Sequence, residues 1–267
     1  MADKISFSET VNQNLLETPK STQAEYSLPC GYLDSMGTLH QDVRLREMTG
    51  REEDLLASNK LSPQRKINAL IVNCLEQIGT ITDRTQFASI VPQLPVGDRI
   101  FLLLALRRTS LGDEYPVEME CPSCDVESHY VLDLSELETI PMKDPKKRVF
   151  ETTLPSGKQV RFRIGLGSDE EAVAKVPDEE KPTAMLLSRT ELINGKTPTV
   201  FDIKGLSFRD RQALREAFDE HDGGVDTDMQ MTCPACGHNF EKPLDLGQQG
   251  FFFPHRVQKG SKRKSST

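Results

Sequence analysis

The feature that most restricts how this chain can fold is a cysteine turn that occurs twice. Met119-Glu120-Cys121-Pro122-Ser123-Cys124 is followed, after seven intervening residues, by Leu132-Asp133-Leu134. Met231-Thr232-Cys233-Pro234-Ala235-Cys236 is followed, after the same interval, by Leu244-Asp245-Leu246. The proline fixes one φ angle and tightens the turn, so both thiols converge. Two such turns supply the four thiolates of a tetrahedral metal site. Cys121, Cys124, Cys233 and Cys236 are therefore expected to form a single structural four-cysteine zinc site, two ligands from each half of the chain. The interval from Cys124 to Cys233 is far longer than the roughly 15–20 residues of a compact zinc ribbon, so the site is expected to lock two distant segments together. A closed four-cysteine site leaves no coordination position for water or substrate, which makes it structural. A rubredoxin-like iron centre is the competing reading, because Cys233-Pro234-x-Cys236-Gly237 also has that form. Two metal-free dithiol turns are a third.

The match extends well beyond the cysteines. At the same offset of 112, Leu94, Asp98, Arg99, Leu102, Ala105 and Gly112 fall on Leu206, Asp210, Arg211, Leu214, Ala217 and Gly224. Upstream, Val43-Arg44-Leu45-Arg46, Gly50 and Glu53 match Val160-Arg161-Phe162-Arg163, Gly167 and Glu170 at an offset of 117. Leu28-Pro29-Cys30-Gly31 matches Leu154-Pro155-Ser156-Gly157 at 126, and the drift implies a longer hairpin loop in the first copy. A tandem duplication follows, each copy a unit whose partner completes its core. The expected fold class is α+β: two copies of a β-hairpin, helices and Cys-Pro-x-Cys ribbon, clamped by one shared site. The expected organisation is a flexible arm over 1–25, repeat one over 26–134, a linker over 135–149, repeat two over 150–246, and a Phe-rich segment with a basic tail over 247–267.

Local signals fill in the units. Tyr26 to Leu33 and Thr38 to Leu45 read as strands around Asp34-Ser35-Met36-Gly37, with Val43 and Leu45 alternating against Arg44 and Arg46. Thr49-Gly50-Arg51-Glu52 is a capping box. Ser62-Pro63 starts a helix, and Ile67, Leu70, Ile71, Cys74, Leu75 and Ile78 form its apolar stripe up to Gly79. Pro95-Val96-Gly97-Asp98 starts another, apolar on all sides from Ile100 to Leu106 and hence buried, with Arg107 and Arg108 suited to its C-terminal dipole. The second copy repeats this order, with a hairpin from Phe150 to Ile164 and a more polar last helix capped by Ser207. Asp98 and Asp210 read as first-turn aspartates favoured by the helix dipole.

With 267 residues the chain can hold one or two domains, and its formal charge of −8 disfavours a general nucleic-acid binder. Ile100 to Leu106 is too short to span a bilayer, and polar Met1 to Gln13 has no signal-peptide core. Six cysteines without a secretory signal favour a reducing compartment and metal over disulfides. Cys30 and Cys74 read as small buried hydrophobes, and His129 and His238 as surface residues outside the repeated ligand pattern. No nucleophile–base grouping, phosphate-cradling loop or His-Glu-x-x-His motif stands out, so catalysis is not expected. Phe251-Phe252-Phe253 either tucks into the core or anchors a partner subunit, and Arg256 to Thr267 reads as a solvated basic tail.

Met48-Thr49-Gly50-Arg51-Glu52-Glu53-Asp54, Gly97-Asp98-Arg99 before a Leu-rich helix, Ser110-Leu111-Gly112-Asp113, the two cysteine turns and the terminal phenylalanines resemble the baseplate hub and tail-assembly proteins of T-even-type contractile phages. Related chains accompany contractile injection systems. The resemblance covers most of residues 26–253. It implies a non-enzymatic structural or assembly component near the central hub, with other baseplate, hub or spike proteins as partners. It would be made in the host or producer cytoplasm and then reside in the virion tail or contractile particle. A nucleic-acid-binding zinc-ribbon protein is the alternative.

Overall fold

The computed structural model describes residues 23–244, 246 and 249–252. The mixed α+β chain forms several small antiparallel sheets with helices packed between them. Strands β1 (Gln23–Leu33) and β2 (Leu39–Arg46) form the first hairpin, with Tyr26 opposite Val43 and a bulge between Ser27 and Tyr32. Gln23 to Glu25, expected in the flexible arm, are already strand. Sheet pairing with Arg44 to Arg46 supplies the hydrogen bonds that polar composition alone did not suggest. Helix α1 (Gly50–Ala57) follows on the Thr49/Glu52 capping box.

Helix α2 (Pro63–Cys74) starts at Ser62, as its sequence indicates, but stops four residues early. Leu75–Ile78 is strand β3, which pairs with β2 through a bulge: Val43 faces Ile78, and Leu45 faces Leu75. The apolar stripe suits either conformation, because Leu75 and Ile78 are buried in both. The free edge of β2 decides, since it satisfies the backbone groups of the last four residues. After α3 (Arg84–Ile90), helix α4 (Val96–Leu111) is buried over most of its length, and Gly112 ends it at φ 86°. Arg107 departs from expectation. Only 1% exposed, it donates to the carbonyls of Gly112 and Glu114 and lies over the Tyr115 ring at 4.9 Å.

Strands β4 (Glu114–Glu120) and β5 (Glu127–Asp133) form the first ribbon. The expected linker contains a short strand, β6 (Thr139–Ile140). The second half then runs β7 (Val149–Thr153), β8 (Gln159–Arg163), α5 (Gly167–Val173), α6 (Lys181–Arg189), β9 (Thr190–Ile193), α7 (Val200–Lys204) and α8 (Phe208–His221). Strand β10 (Gly224–Val225) pairs with β6, and β11 (Asp228–Thr232) with β12 (Asn239–Pro243) forms the second ribbon. A last turn of helix, α9 (Gln249–Phe252), closes the described chain.

Two apolar clusters form the core, and each borrows from the other half. The first gathers Leu28, Leu45, Leu70, Phe87 and Leu102 but also takes Met229, Leu244, Phe251 and Phe252. The second gathers Phe150, Phe162, Leu186, Leu214 and Phe218 but also takes Cys30 and Met142. Between them α4 approaches β10 so closely that a Cβ on Gly97 would lie 1.8 Å from the Gly223 carbonyl oxygen. Only glycine allows that contact.

A second contact joins the halves at the start of α5. Val96 N–H donates to the Gly165 carbonyl and Gly167 N–H to the Leu94 carbonyl, both at 3.0 Å. Arg99 then donates to Glu170 at 2.6 Å and to Asn68 at 2.7 Å, and Asn68 also bonds Glu171. The Arg99 guanidinium occupies the space over Gly167, where a Cβ would meet Nη1 at 2.0 Å.

Candidate metal centre

Each cysteine turn sits at the tip of a two-stranded ribbon, whose register places the ligands. Glu120 pairs with Glu127, so the chain turns over Cys121 to Val126; Thr232 pairs with Asn239, so it turns over Cys233 to His238. In each turn the first cysteine N–H donates to a carbonyl five residues on, Val126 or His238. Its own carbonyl accepts from Asp125 or Gly237 N–H at 3.0 and 2.9 Å. Those two residues adopt positive φ, 55° and 72°. Aspartate tolerates the left-handed region better than most side chains, and glycine occupies it freely.

The two tips meet. All four sulfurs lie within 4.8 Å of one another. Cys121 Sγ is 3.8 Å from Cys236 Sγ, and Cys124 Sγ is 3.7 Å from Cys233 Sγ. Metal–sulfur bonds of about 2.3 Å in a tetrahedron put the sulfurs about 3.8 Å apart, so the four thiols can hold a metal ion as they stand. Interchanging the tips converts one sulfur pair into the other, a local two-fold relation. Cys121 and Cys233 are buried, Cys124 is half-buried and Cys236 is exposed.

The backbone prepares the site for anionic sulfur. The N–H of Cys236, with that of Ala235, lowers the Cys233 thiol to about 7 despite its burial. At Cys124 the Val126 backbone acts in the same direction, but donation to the neighbouring sulfurs outweighs it and the thiol rises to about 12. A metal ion is what lets four clustered thiolates coexist. Tyr130 on β5 and Phe240 on β12 brace the ribbons edge to face, their centroids 6.2 Å apart. Sequence reasoning missed this pair, whose only signal was an aromatic residue on each ribbon.

The remaining expected positions sort clearly. His129 is exposed and pairs with Glu118 at 3.2 Å, and His238 is exposed and stacks on Phe240; neither joins the sulfur cluster. Cys30 and Cys74 are buried, and desolvation pushes both thiols up, Cys74 to about 12. Phe251 is fully buried against Tyr115, with Phe252 beside it at 4.9 Å, so both rings belong to the first core. Phe253 and the basic tail lie outside the described residues. Asp98 and Asp210 do more than their helix-start positions suggested. Each reaches out of its helix to a hairpin, Asp98 accepting from Cys30 N–H at 2.8 Å and Asp210 from Ser156 N–H at 2.9 Å.

The family model described as the T4 bacteriophage base plate protein matches residues 33–242, most of the chain and all four clustered cysteines. The chain belongs to this baseplate family. No curated protein and no solved structure matches it. Membership makes it a phage baseplate structural component, working among other baseplate proteins in the virion tail. Among the described residues of this baseplate protein, no helix is long and apolar enough to cross a membrane.

Proposed function

We propose that the chain is a non-catalytic, zinc-stabilised adaptor in the hub region of a contractile tail or injection-system baseplate, built by tandem duplication. The observation that carries the adaptor reading is the convergence of two ribbon tips, far apart in sequence, on one four-sulfur cluster. Four thiolates in tetrahedral spacing suit zinc, and a closed site of that kind holds parts together rather than turning over substrate.

Recurring fine structure supports the duplication. Arg46 forks onto Glu52 and bonds the Glu47 carbonyl; Arg163 forks onto Asp169 and bonds the Ile164 carbonyl. β2–β3 and β8–β9 carry a bulge at the same place, between Arg44 and Leu45 and between Arg161 and Phe162. Gly79 and Asn194, just beyond β3 and β9, both adopt positive φ. The two aspartate-to-hairpin bonds correspond as well, as a duplication with a longer first hairpin would have them.

Mass spectrometry of salt-washed contractile particles, with metal analysis of the purified chain, tests the adaptor reading. A fixed low ratio to sheath and tube, with one zinc per chain, is the expected result. Absence from particles whose assembly nevertheless needs the gene would make it a transient assembly factor. If particles neither contain nor need it, the adaptor reading falls.

A further inference from the structure

Among the described residues the contact at the start of α5 joins the halves in one direction only, and its two counterparts make no such contact. Leu94, Pro95, Val96, Arg99 and Asn68 of the first half hold Gly165 to Glu171 of the second. Under the duplication argued above, on which this inference rests, the matching acceptor is Leu206, Ser207, Phe208, Arg211 and Thr183. The matching insert is Met48 to Asp54.

Both counterparts are shaped for the contact. Arg211 donates to the Ile203 carbonyl at 3.2 Å and to the Thr183 hydroxyl at 3.3 Å, the latter as Arg99 does to Asn68, but has no carboxylate partner among the described residues. Burial disfavours the charge of both arginines; nearby Arg215 adds to this at Arg211, whereas Glu170 and Glu171 oppose it at Arg99. On the other side, Glu53, the counterpart of Glu170, is exposed. Gly50, the counterpart of Gly167, has nothing within 4 Å of where a Cβ would stand, although Gly167 is filled by Arg99. Among the described residues, the Leu206 carbonyl, Phe208 N–H, Met48 carbonyl and Gly50 N–H lack backbone partners, and these correspond to the groups bonded in the internal contact. Phe208 is 81% exposed and Phe201 on adjacent α7 is 85% exposed, while Pro95, the counterpart of Ser207, is buried.

We propose that a second copy of this chain inserts its Met48–Asp54 segment onto the Leu206–Phe208 edge. Phe208 N–H then bonds the incoming Met48 carbonyl, Gly50 N–H bonds the Leu206 carbonyl, and Arg211 stacks over Gly50 to pair with Glu53. The interface is head-to-tail, so it propagates into a ring if the rotation closes and a filament if it does not. The occupant is a second copy because the chain already carries the matching insert, with complementary charge and an unfilled glycine.

Sedimentation velocity of the full-length, metal-loaded chain across a concentration series tests this. The wild type should associate with concentration. Gly50→Leu, which spoils only the insert, and Phe208→Pro, which removes only the acceptor N–H at a first helical position where proline is tolerated, should each weaken association at least tenfold while keeping wild-type urea unfolding curves. Mixed together, they should form one-to-one dimers and nothing larger, because one intact acceptor meets one intact insert. A wild-type chain that stays monomeric at every soluble concentration overturns the proposal. So does association that both variants leave unchanged. A monomeric chain with its metal bound and its place in particles intact would overturn this interface alone and leave the adaptor reading standing.

Discussion

At the residue scale, Asp98 and Asp210 show how the nearest donor changes a buried carboxylate. Asp98 is fully buried; desolvation pushes it up to about 7, against the opposing Cys30 N–H, and its Oδ2 has no hydrogen-bond partner. Asp210 is just as enclosed by its neighbours, and burial opposes its ionisation too. The amide and hydroxyl of Ser156, with the Ser207 hydroxyl, outweigh that and hold it below the usual carboxylate range. Asp98 meets Cys30 where Asp210 meets Ser156, so it has no such hydroxyl donor. Because the folded-state pKa of Asp98 lies above its unfolded value, the folded protein binds the extra proton between about pH 4 and 7. The contribution of Asp98 is full below that window and is lost as pH rises through about 7. Asp98→Asn keeps an acceptor for Cys30 and carries no charge. Its stability relative to wild type, measured by urea unfolding, should increase from pH 4 to 7 and then level off; parallel profiles would disprove the assignment. Asp98→Ala, which strands the Cys30 N–H, should cost about 1–3 kcal/mol.

At the element scale, pieces of chain are decided by what covers them. The last four residues of the expected α2 helix become β3 because β2 has a free edge beside them. α9 is only four residues long, too short to stand alone. It is held by Phe251 packed between Tyr115 and the buried Arg107, at centroid distances of 5.5 and 5.6 Å. Phe251→Ala should therefore lower stability by about 3–5 kcal/mol, read as a shift in the urea midpoint with the slope unchanged. An unmoved midpoint would mean that the ring belongs to a partner rather than to this core.

At the scale of the whole molecule, the second ribbon is tied to the first core twice, through the sulfur cluster and through Met229 and Leu244. A metal ion held at the cluster would add its binding energy to folding, since the unfolded chain cannot hold four thiolates together. Chelation, or Cys121→Ser or Cys233→Ser, should release the metal and lower the melting temperature of both cores in one transition. Tyr115 lies in one core and Phe162 in the other, so signals from these two rings follow each core separately. Separate transitions would show that the cluster does not couple the halves. Acidification should release the metal as protons compete for the thiolates.

The sequence alone determined what depends on short-range chemistry. Cysteine spacing identified all four clustered residues, the Thr49/Glu52 pair fixed the start of α1, and turn residues placed both hairpins. The same reasoning found Asp98, Arg99 and Arg107 but not their roles, because each is satisfied by a group distant in sequence or by a ring brought in by folding. Tertiary structure alone decided that β3 is a strand, that Arg107 is buried, and that Arg99 reaches across to Glu170. A turn or a cap is settled by a few neighbouring residues whose geometry is locally enforced. A buried charge or a strand edge is settled by whichever distant backbone arrives to satisfy it, and that choice belongs to the packed chain.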